Sequence, residues 1–215
     1  MYEPPHFRIE DRAEMLALIR AHPLGILVSG GEAGLMANPI PFLVQENADG
    51  SVSLRAHLAR PNPQWRALAE APEALVVFQG HDHYITPSWY ASKREHGKVV
   101  PTWNYMLVQV RGQAIVKDDP AFVMEQISAL TAQEEGVRPQ PWAVTDAPEP
   151  FIAAQMRGIV GLEIPIREIT GKYKLSQNRP GADLEGVVSG LAGERDPAGP
   201  AMATTIRQRG GKHAP

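Results

Sequence analysis

Three segments of this chain concentrate side chains that can do chemistry. The first is His57-Leu58-Ala59-Arg60-Pro61-Asn62-Pro63-Gln64. Here an alternating strand ends and a helix begins, with Asn62 as its cap and Pro63 suited to the first helical position. Backbone N–H groups at a helix start, with Arg60 just before them, suit a phosphate. The same arrangement is also a common structural cap. The second segment is His81-Asp82-His83-Tyr84-Ile85-Thr86-Pro87-Ser88-Trp89-Tyr90, followed by Pro101-Thr102-Trp103-Asn104-Tyr105. It holds two of the four tryptophans and three of the five tyrosines, with polar tips such as Ser88 and Asn104 between the rings. Such a mixture stacks on a planar ligand and reads its edges, or pins a loop by packing. The third is Lys172-Tyr173-Lys174-Leu175-Ser176-Gln177-Asn178-Arg179, which reads either as a ligand-closing segment or as a solvated basic turn.

Other chemistries are poorly supplied. The 215 residues include no cysteine, which removes disulfides, thiolate nucleophiles and thiolate metal sites. His81 and His83 share a face if extended, but two ligands are not a metal site, so no metal is expected. No G-x-S-x-G, Walker or G-x-G-x-x-G pattern occurs. Net charge is −3, and residues 118–150 hold one basic and seven acidic side chains. No stretch is basic enough to mark a nucleic-acid footprint. The N-terminal residues lack a signal-peptide pattern and no apolar run reaches membrane length, so a soluble, cytoplasmic protein is expected.

The elements that must position these segments follow from period and punctuation. Asp11 to His22 reads as a helix with Met15, Leu16, Leu18 and Ile19 on one face, stopped by Pro23. Leu24–Ser29 reads as a strand. Leu35–Gln45 is an edge or kinked strand, because Pro39 and Pro41 cannot both sit in a paired centre. Ser51–Leu58 alternates, with Val52, Leu54, Ala56 and Leu58 facing inward. Strands are predicted at Ala74–Gln79, Tyr105–Val116, with Gly112 as a bulge, and Ile159–Ile169. Helices are predicted near Asn62, from Asp119 to Gly136, over Glu149–Arg157 and over Pro180–Leu191. This pattern predicts a mostly β fold with peripheral helices, a largely antiparallel sheet closing into a barrel. One domain spans residues 1–192. Residues 193–215, rich in Gly, Ala and Pro, are expected to form a disordered tail.

Together the three segments resemble the PaiB-type FMN-binding transcriptional regulator family. The resemblance rests on His57 through Trp65, Tyr84 through Tyr90 with Pro101 through Tyr105, and Lys174-Leu175-Ser176-Gln177-Asn178. It implies an FMN-binding split β-barrel, similar to pyridoxamine 5′-phosphate oxidase, that works as a homodimer with its flavin site at the interface. By that resemblance the FMN phosphate lies near Arg60, Asn62 and Gln64, and His57 flanks the ribityl chain. Trp103 and Asn104 approach the isoalloxazine, with Tyr84 and Ser88 in the same aromatic segment. Lys174, Gln177 and Asn178 close the site. Pro39 stands where the family often has histidine, which leaves Asn38 as the local polar candidate. The resemblance implies a negative transcriptional regulator; a flavin-dependent oxidoreductase and a haem- or flavin-carrying module are the alternatives. DNA is a possible partner, although no helix-turn-helix pattern is visible.

Overall fold

The computed structural model describes residues 1–32 and 34–210. In chain order the elements are β1 (Arg8–Ile9), α1 (Arg12–Ala21), β2 (Leu24–Ser29), β3 (Met36–Pro41), β4 (Leu43–Glu46) and β5 (Val52–Ala59). They continue with α2 (Gln64–Glu70), β6 (Glu73–Ile85), α3 (Ser92–Glu95), β7 (Thr102–Gln113), β8 (Ile115–Lys117), α4 (Pro120–Glu135) and α5 (Glu149–Met156). The last four are β9 (Ile159–Pro165), β10 (Glu168–Lys174), α6 (Gly181–Ala192) and α7 (Ala198–Gly210). The chain divides into two compact units. The first comprises Met1–Arg12, Gln79–Val108 and Thr170–Pro215; the second comprises Ala13–Phe78 and Gln109–Ile169.

In the second unit β2 pairs antiparallel with β3, from Leu24↔Pro41 to Ser29↔Met36. Its other side pairs with the start of β6, from Ile26↔Val77 to Ser29↔Ala74. Pro39 and Pro41 lie on β3, an edge strand, where a missing N–H donor costs nothing. The predicted segment Leu35–Gln45 thus breaks in two: Phe42 separates β3 from β4, and β4 joins a four-stranded sheet in the order β4-β5-β9-β8. On β5, Leu54, Ala56 and Leu58 are buried as the alternation requires. They pack in a core with Leu27, Leu68, Phe78, Leu162 and Ile164. Gly112 lies within β7 without interrupting it, and glycine is needed there for a reason of space: a Cβ would lie 2.2 Å from the carbonyl oxygen of Pro165.

In the first unit the strand order is β1-β10-β7-β6, with β1 an edge paired to β10 through Arg8↔Lys172 and Ile9↔Gly171. β6 continues past Gln79 through the polar run Gly80–Tyr84, which sequence reading leaves as a loop. His81, Asp82 and His83 are half-buried and Tyr84 is exposed, so a strand accommodates them without stranding polar groups. Lys172 and Lys174, read as part of a basic turn, stand on β10. Residues 193–210, read as a loose tail, contain α7. Met202, Ala203 and Ile206 are buried and share one helical face, and α7 packs on α6, where Val187, Val188 and Leu191 are also buried. Few large apolar residues are needed when small ones let two helices approach. Residues 211–215 lie outside the described residues.

The chain is therefore mostly β with peripheral helices. Its strands form open sheets with free edges instead of one closed barrel. No helix among the described residues is long and apolar enough to cross a membrane.

Candidate functional site

Five of the predicted site residues lie in the second unit: Asn38, His57, Arg60, Asn62 and Gln64. Arg60 follows the end of β5 and its guanidinium is already engaged. Its Nη1 and Nη2 donate to Asp118 Oδ2 and Oδ1 at 3.0 and 2.6 Å. Its Nε and Nη2 also donate to the carbonyl oxygens of Arg157 (2.9 Å) and Ile159 (3.1 Å). The hydrogen bond from Arg60 holds the Asp118 carboxyl below its ordinary value. Asn62 Oδ1 accepts from the backbone N–H of Gln64 at 2.9 Å, but α2 begins at Gln64, so Pro63 and not Asn62 is the residue that precedes the helix.

Gln64 itself is fully buried. Its Nε2 donates to the carbonyl of Leu27 at 3.0 Å and to Ser29 Oγ at 3.1 Å, while its Oε1 accepts from Asn38 Nδ2 at 2.9 Å. Asn38 and Gln64 thereby tie β3, β2 and α2 together. His57 Nδ1 lies 2.8 Å from Gln126 Oε1 on α4. With an amide oxygen facing it, Nδ1 donates. The Gln126 Nε2 group is buried without a partner among the described residues.

A cavity of about 860 Å³ opens beside Arg60 and Asp118, walled by Val123 and Met124 of α4 and by Ile152 and Met156 of α5. Sequence reasoning missed it. Its walls are ordinary helix faces, and nothing in their local pattern reports that they diverge.

The other seven predicted residues lie in the first unit: Tyr84, Ser88, Trp103, Asn104, Lys174, Gln177 and Asn178. Asn104 is fully buried on β7. Its Oδ1 accepts from Ser176 Oγ at 3.1 Å, and its Nδ2 has no partner among the described residues. Lys174 Nζ donates to Thr102 Oγ1. Burial pushes the Lys174 ammonium below the ordinary lysine value, and the nearby Lys172 and Arg179 charges add to that while Tyr105 opposes it. Trp103 and Tyr84, 53% and 43% exposed, meet edge to face with ring centres 5.9 Å apart.

Gln177 is a staple of its turn. Its Oε1 accepts from the Leu175 N–H and its Nε2 donates to the Tyr173 carbonyl, each at 2.6 Å. That turn places Ser176 at φ 62°, the left-handed region, and so swings its hydroxyl to Asn104. Asn178 is exposed beyond it. Ser88 accepts from Lys93 Nζ at 3.2 Å.

The aromatic loop is locked to α6. Ser92 donates from its N–H (2.9 Å) and its hydroxyl (2.6 Å) to the two carboxylate oxygens of buried Asp183, which holds that carboxyl below its usual value. Trp89 lies in a notch made by two glycines. A Cβ on Gly186 would sit 1.9 Å from the Trp89 carbonyl oxygen, and one on Gly190 would sit 2.3 Å from the indole.

Comparison with known proteins agrees with the resemblance seen in the motifs. Residues 1–168 match the family described as "Putative FMN-binding domain". The chain is 31% identical over 211 residues to the protease synthase and sporulation protein PAI 2 of Bacillus subtilis, covering 97% of this chain and 98% of that one. It is 37% identical over 228 residues to an uncharacterised protein of Emericella nidulans, covering 90% and 91% of the two chains. Among solved structures, its fold is similar to that of the FAD and heme binding protein from Mycobacterium smegmatis. The TM-score is 0.57 at 19% identity, over 85% of this chain and 80% of that one. The chain belongs to the PaiB-type FMN-binding family.

Proposed function

We propose that this protein binds FMN and works as a PaiB-type negative regulator of transcription. The observation that carries the flavin reading is the unpartnered, fully buried Nδ2 of Asn104. A buried donor without an acceptor costs about 1–3 kcal/mol, and a ligand rich in carbonyl and ring-nitrogen acceptors removes that cost. An isoalloxazine is such a ligand. Lys174 Nζ is a second donor close to the same segment, and the exposed rings of Trp103 and Tyr84 offer a planar apolar surface. When bound, the flavin supplies one- and two-electron redox chemistry that no side chain of a cysteine-free protein provides.

The exposed Trp103 and Tyr84 also support a homodimer in which a second copy covers the flavin. The regulator reading is supported by the near full-length similarity to the sporulation protein PAI 2. A flavin-dependent oxidoreductase is the second reading, supported by Lys174, whose Nζ is held on Thr102 Oγ1 beside the aromatic segment and can exchange a proton with a bound flavin.

The purified protein is expected to carry a flavin absorbance and to release FMN, not FAD, on denaturation. A colourless protein that takes up no added FMN overturns the flavin reading. Salt-dependent binding to a promoter fragment, altered by flavin occupancy, supports the regulator. Rapid bleaching of the flavin by NAD(P)H, with no binding to promoter fragments, replaces it with the oxidoreductase.

A further inference from the structure

Lys172 and Lys174 stand two residues apart on β10 and share a face. Lys172 is only 9% exposed, and its Nζ sits over two rings, 5.3 Å from the centre of Tyr2 and 5.4 Å from that of Tyr105. Directly opposite Lys172 on β1 stands a third cation, Arg8. Among the described residues, no carboxylate pairs with either lysine; Glu3, at 3.7 Å, is engaged by Arg8. Like charges directly opposite across a strand pair repel, and a buried ammonium without a counter-ion is costly. Cation–π contacts offset only part of that cost.

The surrounding groups are hydrogen-bond donors. Lys174 Nζ spends one N–H on Thr102 Oγ1 and keeps two. Two ammonium groups with no acid paired to either favour an anion with several acceptor oxygens.

We propose that the Lys172–Lys174 face of β10 is a phosphate-binding site. A phosphate dianion matches two lysine charges and accepts from several donors at once. The group has two sources, the phosphate of FMN itself or a separate phosphorylated small molecule. The first rests on the flavin reading; the second does not. Arg60, where sequence reasoning puts the phosphate, already has its fork filled by Asp118.

The test uses the full chain, freed of bound ligands, with inorganic phosphate, FMN and riboflavin titrated by calorimetry. Phosphate is expected to bind, and Lys172→Met and Lys174→Met each to weaken it tenfold or more. The exposed-lysine control Lys98→Met is expected to stay within twofold. Lys172→Arg, which keeps the charge, is expected to restore binding if Lys172→Met folds poorly. If FMN is the source, the lysine variants lose FMN affinity tenfold but keep riboflavin affinity, and phosphate competes with FMN alone. If the source is separate, phosphate and FMN bind together and neither flavin is affected. A protein that binds phosphate but no flavin keeps this site and removes the flavin reading. No phosphate binding by the wild-type chain, together with an FMN affinity indifferent to both lysines, overturns the proposal.

Discussion

Gln64 and Asn104 are both fully buried primary amides, one in each unit, and both belong to segments that point to a ligand. Gln64 spends its amide on the protein: nitrogen to Leu27 and Ser29, oxygen to Asn38. Asn104 spends only its oxygen, on Ser176, and keeps a donor in reserve. Equal burial thus conceals opposite roles. A satisfied amide cements the scaffold, because removing it orphans several partners. An amide with a spare donor is a place where the protein has left a bond for something else to make.

The largest effect that tests this contrast belongs to Gln64. Gln64→Leu is expected to destabilise the protein by about 2–4 kcal/mol, since Asn38 Nδ2 and the Leu27 carbonyl lose a partner inside the core. Denaturant unfolding reads this, and FMN affinity of the folded fraction should not change. A large affinity loss without destabilisation would reverse the two roles. Gly190→Ala comes next, at about 1–3 kcal/mol, because its new methyl group displaces the Trp89 indole. It perturbs the unit of Asn104 without touching the donor, so it separates general disturbance from a lost ligand bond.

Asn104→Leu is expected to cost less than Gln64→Leu, about 1 kcal/mol, because removing a buried donor that has no partner offsets part of the bond that Ser176 Oγ loses. It should nonetheless weaken FMN about tenfold, measured by fluorescence titration. A stability loss as large as that of Gln64→Leu would place Asn104 in the scaffold.

The smallest effect is a pH response in the second unit. Burial pushes the Glu163 carboxyl up, but hydrogen bonds from Arg55, Ser53 and Lys117 outweigh it and leave the group below its ordinary value. A carboxylate lowered by folding contributes stability above its unfolded value, and that contribution is lost as pH falls through the folded one. Glu163→Gln should flatten the acid side of a stability–pH curve. An unchanged slope would show that this half-buried acid, unlike Gln64, is not part of the scaffold's polar cement.

Much of the scaffold was legible because it rests on local signals. The alternation of β5, the prolines of edge strand β3, and Asp119 capping α4 through the Ala121 and Phe122 N–H groups each need only neighbours in sequence. The division of labour among polar residues was not legible. Gln64 is satisfied by residues 26 to 37 positions away, and nothing near it in sequence announces them. The same holds for Arg60, whose partner Asp118 is 58 residues distant. Lys172 and Lys174 read as a solvated cluster because charge density argues for a turn, whereas their place on a strand depends on pairing with β1. α7 was hidden by composition: Met202 and Ile206 are few, but small neighbours make them sufficient.

The notch that receives Trp89 also constrains how this chain can change over generations. With the backbone oxygen of residue 89 so near position 186, any side chain there is excluded whatever residue 89 becomes. Position 190 is different, since its obstacle is the indole itself. A larger residue at 190 becomes tolerable only after the tryptophan has shrunk, and a shrunken tryptophan leaves a void until 190 has grown. Each single step is penalised and the double step is not. Relatives should therefore keep tryptophan with glycine or replace both together, a covariation that an alignment of this family can count.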